Sequence, residues 1–206
     1  MRQSRIDIQA LYALLLLALS GLAIVSVGAA RTDIRQPVIR APAPPDFDLS
    51  VNAAGTEVTF HGRVDFGLTA AMRDIMLQHP DIRRMTLDSH GGFIAEARGV
   101  VTVLSAHQIA THVEGHCASA CALIFAGGAA RSMGPEARIG LHGYALTQNR
   151  RYGMIDPQAE MQRDLAIYRA QSIDEEFVTR LATLPQHPMW YPEREELHAA
   201  GFLTLP

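Results

Sequence analysis

The feature that most constrains this chain is a close alternation of strand-like and helix-like apolar patterns between residues 57 and 142. Residues 57–61 (EVTFH) alternate with period two, as a half-buried strand does. Residues 66–78 carry Leu68, Met72, Ile75 and Met76 at helical spacing, and Pro80 stops the pattern. Residues 84–88 (RMTLD) read as a second strand running into Ser89-His90-Gly91-Gly92, and residues 93–107 as a helix with a stripe of Ile94, Ala97, Val101 and Leu104. A third strand is expected at 109–113, a turn at 115–118, a small-residue helix at 119–126, and a fourth strand at 138–141 that ends on His142. Such alternation predicts an α/β fold with right-handed crossovers. Residues 157–170, 173–184 and 193–200 then read as three helices, the last with Pro192 before it and Gly201 after it.

Three of these strand ends carry residues with chemical potential, and open α/β sheets place their sites at strand C-termini. Gly91-Gly92, between a strand and a helix, lets the backbone aim N–H groups at a ligand. Ser119, among small residues at a helix start, can expose its hydroxyl and direct the next N–H at a developing oxyanion; a serine there is otherwise an ordinary N-cap. His142, after a strand, is placed to accept a serine proton.

The N-terminus limits where such a domain works. Arg2 and Arg5 precede an apolar run from 10 to 30, ~31 Å long as a helix and so long enough to cross a bilayer. A signal-peptide core is usually only about 7–15 residues, so residues 1–31 read as an uncleaved anchor, while Val27-Gly28-Ala29-Ala30 keeps a cleaved signal open. Either way an extracytoplasmic (periplasmic) domain is expected, reached through a proline-rich linker at 32–46 and occupying 47–206. The formal charge of -3 argues against nucleic acid as a partner. All 18 basic residues are Arg, which excludes a lysine base or Schiff base. Cys117 and Cys121, four apart, are no disulfide framework. On one helix they would lie roughly 6 Å apart, a strained distance for a bridge.

Taken in order, Ser89-His90-Gly91-Gly92, then Cys117-Ala118-Ser119-Ala120-Cys121, then Ile139-Gly140-Leu141-His142 resemble the three site motifs of the Clp-protease family in the Clp/crotonase superfamily. With Gly127 and Arg131 the pattern is similar to periplasmic Clp-like proteins, well over residues 55–145 and more loosely over 190–203. The resemblance implies a twisted sheet of repeated ββα units with C-terminal helices, and a serine peptidase without cofactor or metal. It implies Ser119 as nucleophile, His142 as base, and the N–H groups of Gly91 or Gly92 and of Ala120 as oxyanion hole. It also implies a homo-oligomer acting on peptides or unfolded protein segments. One departure stands out: the family's aspartate position falls near Met189, where there is no carboxylate. Glu193, Glu195, Asp174, Asp164, a backbone carbonyl or a water is left to orient His142. The Ser-Lys dyad of signal-peptide peptidases is excluded, since the chain has no lysine.

Three other readings compete. His112, His116, Cys117 and Cys121 cluster like zinc ligands but lack a second, separated pair. A crotonase-type acyl-CoA enzyme would share the fold, but CoA is cytoplasmic. A non-catalytic binding or assembly module would account for the missing aspartate.

Overall fold

The computed structural model describes residues 44–143 and 156–205. The expected anchor (1–31) and most of the linker lie outside them; among the described residues no helix is long and apolar enough to cross a membrane.

The elements are β1 (Phe47–Val51), β2 (Glu57–Gly62), α1 (Leu68–Gln78), β3 (Arg84–Ser89), α2 (Ile94–His107), β4 (Ala110–Ala118), α3 (Ala120–Ala126), β5 (Arg131–Met133), β6 (Arg138–Gly140), α4 (Pro157–Ala170), α5 (Glu175–Thr183) and α6 (Arg194–Ala199). Six strands form one sheet in the order β1-β2-β3-β4-β5, with β6 also on β4. Only β1 is antiparallel to its neighbour; β2 through β6 run parallel. The strands bury alternate residues: Val58 and Phe60 in β2, Met85 and Leu87 in β3. Against them lie the stripes of α1 (Leu68, Met72, Met76) and α2 (Ala97, Val100, Val101, Leu104), while α3 is buried all round. This is the mixed α/β architecture that the strand-helix alternation predicts.

Two strands escaped sequence reading. Edge strand β1 is short and only half buried along its inward residues, and β5 is three residues long. A third difference matters for the site. Residues 115–118, expected as a turn, mostly continue β4. Leu87 pairs with Val113 but Ser89 with Cys117, so β4 takes up extra residues around Gly115 in a bulge rather than reversing. Beyond the bulge, His116, Cys117 and Ala118 pair with β6. Tertiary pairing overrides the local turn signal of glycine and carries the strand straight to Ser119.

One buried cation ties the C-terminal segment to the sheet. The Arg131 guanidinium, 3% exposed, donates to the carbonyls of Gly128, Gln171, Gly201 and Phe202 at 2.8–3.3 Å. Burial lowers its pKa, and these carbonyls, with that of Ala126 and the Gln171 side-chain oxygen, keep the charge solvated, with no carboxylate paired to it among the described residues.

Candidate active site

At the end of β3 the chain doubles back through two glycines with φ of 96° and 152°. A Cβ on Gly91 would come within 2.7 Å of the Ala118 carbonyl and of Ser119 Cβ, and one on Gly92 would strike the Val64 carbonyl. Only glycine lets the β3 loop lie this close to the start of α3. The two amides are used differently. Gly91 N–H donates to Ser89 Oγ at 3.0 Å. The Gly92 N–H has no acceptor among the described residues. The loop is braced by Val64, whose N–H reaches Gly91 O at 3.0 Å and whose carbonyl accepts from Phe93 at 2.7 Å.

Ser119 joins β4 to α3 at φ 56° and ψ -124°. Such a conformation costs a non-glycine residue about 1–3 kcal/mol and persists only where the surroundings over-determine it. They do so here. Ser119 N–H donates to Gly140 O at 2.9 Å, and its carbonyl accepts from Ala122 N–H at 2.9 Å. The side chain makes no capping bond, so the N-cap role open to a serine at a helix start is not the one it plays. The hydroxyl turns outward instead, to His142 Nε2 at 2.7 Å. As the first residue of α3, Ala120 has an N–H beyond the reach of the helix ladder, and among the described residues nothing accepts it.

His142 follows β6 and is held from both sides. Leu141 exchanges two 2.8 Å backbone bonds with Trp190, and Gly143 N–H donates to Pro185 O at 2.9 Å. The ring's Nδ1 lies 2.8 Å from Gly143 O. A carbonyl only accepts, so Nδ1 carries the hydrogen and Nε2 is left with a lone pair toward Ser119. The orienting group is therefore main chain. Among the described residues no carboxylate contacts the ring: Asp174 caps α5, and Asp164 pairs with Arg98. Met189 packs against Gly140, whose added Cβ would lie 2.5 Å from its Sδ.

Ser119 and His142 open onto a pocket of about 310 Å³. Its floor carries Gly92 and Ala120, and its walls Phe93, Ile94, Leu141, Leu165, Tyr168 and Leu181. Asp164 also lines it, with Oδ1 2.5 Å from Arg98 Nε; Arg98 pairs with Glu160 as well. Burial works against the Arg98 charge, but the hydrogen bonds it donates to Asp164 and Glu160 outweigh that and raise its pKa. Burial first, and then the Asp164 charge, push the Tyr168 phenol pKa up.

Strand ends thus bring together Ser119, His142, Gly92 and Ala120, whereas the Gly91 amide is already engaged. Sequence reasoning kept a backbone carbonyl open as the group orienting His142 but did not identify it as that of Gly143, and it missed the helical pocket wall, because both depend on how residues 141–143 and α4 pack. Cys117 and Cys121 are bridged, with Cα atoms 5.3 Å apart. The strained helical geometry does not arise, since Cys117 lies in β4 and only Cys121 lies on the helix. The bridge removes both thiolates from the zinc alternative. Its histidines are engaged too: His112 with Ser132 and Glu114 at 2.8 Å each, and His116 packed at a tilt against His90, with ring centroids 4.5 Å apart.

No protein-family model matches the chain, and no curated protein matches its sequence. Among solved structures it is similar to a serine-to-alanine mutant of the 1510-N membrane-bound stomatin-specific protease. The match has a TM-score of 0.54 at 15% identity and covers 72% of this chain and 76% of that one. At that identity the likeness concerns architecture alone, and the architecture of this chain is the Clp-protease-like α/β fold.

Proposed function

We propose that the chain is a serine hydrolase, a peptidase that cleaves peptides or unfolded protein segments outside the cytoplasm. The observation that carries this is the 2.7 Å contact between Ser119 Oγ and Nε2 of His142, beside two amides that nothing among the described residues accepts. Ser119 Oγ attacks the scissile carbonyl carbon as its proton passes to His142 Nε2. The carbonyl oxygen becomes an oxyanion, met by the N–H groups of Gly92 and Ala120. The imidazolium returns its proton to the leaving amine, and the acyl group stays on Ser119. Water, deprotonated by the same ring, then releases it.

The fold of a protease supports the peptidase assignment, and so does a pocket with mostly apolar walls. The N-terminal segment supports an anchored or exported domain, and resemblance to the Clp family supports a homo-oligomer. A specific observation also favours a slower enzyme or a binding module. The imidazolium would face the neutral Gly143 carbonyl instead of a carboxylate, and loss of the orienting carboxylate lowers the rate by about 10⁴ in a known triad. Labelling with a fluorophosphonate separates the two. A hydrolase forms an adduct at Ser119 that is lost in Ser119→Ala and His142→Ala; a folded wild-type protein that takes no label at millimolar probe is a binding module.

A further inference from the structure

We infer that the Cys117–Cys121 disulfide is the positioning element of the nucleophile, so that Ser119 reacts much faster in the oxidised protein than in the reduced one. This rests on the hydrolase assignment. The bridge spans three residues, and Ser119 is the middle one. One end is immobile: Cys117 pairs with Ser89 on one side of β4 and with Ile139 on the other. The other end, Cys121, lies in the first turn of α3. Both cysteines are fully buried. The bridge therefore fixes the first turn of the helix against the sheet across the single residue whose backbone is held at φ 56°.

Loop length indicates a local task. Cross-linking stabilises a whole fold more as the closed loop lengthens, and this loop is short, its cysteines only four positions apart. Its constraint acts instead on the four peptide units between the cysteines, which set the Ser119 hydroxyl and the Ala120 N–H. Without the bridge, the strained conformation is left to two backbone bonds, Ser119 N–H to Gly140 and Ala122 N–H to the Ser119 carbonyl, and to the Oγ contact with His142. Relaxation of Ser119 toward ordinary φ swings Oγ off His142 and turns the Ala120 amide away from the oxyanion position together. On reduction the S–S bond takes two electrons and two protons to give two thiols; a phosphine reductant supplies the electrons and ends as its oxide, with oxygen taken from water.

The sequence provides a direct test. No arginine or lysine lies between Arg98 and Arg131, so trypsin releases residues 99–131 as one peptide carrying Ser119 and both cysteines. The protein is partly reduced with a phosphine, exposed briefly to a fluorophosphonate, alkylated and digested. Peptide mass then reports, for each molecule, the bridge state and the Ser119 adduct. The bridged form is expected to label at least tenfold faster than the reduced form while circular dichroism and Trp190 fluorescence stay native, with re-oxidation restoring the rate. The double variant Cys117→Ala/Cys121→Ala, which needs no reductant access, should label at the slow rate and ignore reductant. Equal adduct on bridged and reduced peptides overturns the inference. Loss of native fluorescence on reduction overturns it too, since the bridge is then a staple of the whole domain. If oxidised wild-type protein takes no label at Ser119, the hydrolase assignment itself falls, and this inference with it.

Discussion

The two halves of the pocket are built by different means. The reactive half, Gly92, Ser119, Ala120 and His142, stands at the ends of β3, β4 and β6 and is set by main-chain bonds: Val64 to Gly91 and Phe93, Ser119 to Gly140, Leu141 to Trp190, Gly143 to Pro185. The wall half, Asp164, Leu165, Tyr168 and Leu181, stands on α4 and α5 and is set by side chains, above all by Arg98 reaching across to Asp164 and Glu160. Backbone bonds in a parallel sheet fix direction and register at once. Helices packed through side chains keep freedom to shift. The difference teaches that reactive geometry should resist surface changes, whereas the shape of the pocket should respond to the state of a few side chains.

The sharpest way to break this comparison lies at Ser119. Ser119→Ala should abolish fluorophosphonate labelling and lower any peptide turnover by ~10⁴–10⁶-fold, with the thermal midpoint within a few degrees of wild type. A large loss of stability would mean that the hydroxyl also holds the fold. Next is Gly92→Ala, whose Cβ strikes the Val64 carbonyl. Displacing that amide should slow labelling by ~10²–10³-fold, measured as a second-order rate on folded protein. A rate close to wild type would remove Gly92 from the oxyanion hole.

Arg131→Met probes the attachment of the C-terminal segment. It strips donors from the carbonyls of Gly128, Gln171, Gly201 and Phe202 and should destabilise the fold by about 3 kcal/mol in urea titration. An unchanged midpoint would show that water replaces the guanidinium at little cost. The smallest effect concerns His116, behind the site. Burial, and then neighbouring His90, lower its pKa. Because the unfolded chain binds that proton more readily, stability is intact above the ordinary histidine pKa of about 6.5 and declines as pH falls through it. His116→Asn should flatten that decline in urea midpoints collected from pH 8 to 5, and an unaltered slope would assign it to other groups.

The parts of the site legible in sequence were those that glycine chemistry and strand-to-helix transitions mark locally. Gly91-Gly92 announces a close backbone approach, and Ser119 and His142 follow apolar strand patterns. Other parts were not legible, for identifiable reasons. The choice between the Gly91 and Gly92 amides depends on Ser89 Oγ taking the first of them. The group behind His142 is a peptide carbonyl, and every residue has one, so no side-chain pattern could point to it. Gly115 carries a turn signal, yet pairing with β6 keeps the chain extended through residues 116–118.

Sequence alone determined the α/β class, the strand and helix periods, the absence of lysine chemistry and the residue types able to attack and to accept a proton, because all of these follow from side-chain identity and short-range spacing. Tertiary structure alone decided which amide stays open, what orients the imidazole, that the two cysteines are joined, and that α4 and α5 wall the pocket. Those outcomes depend on contacts between segments far apart in the chain, where distances and hydrogen-bond partners are set by packing of the whole core and by no local pattern.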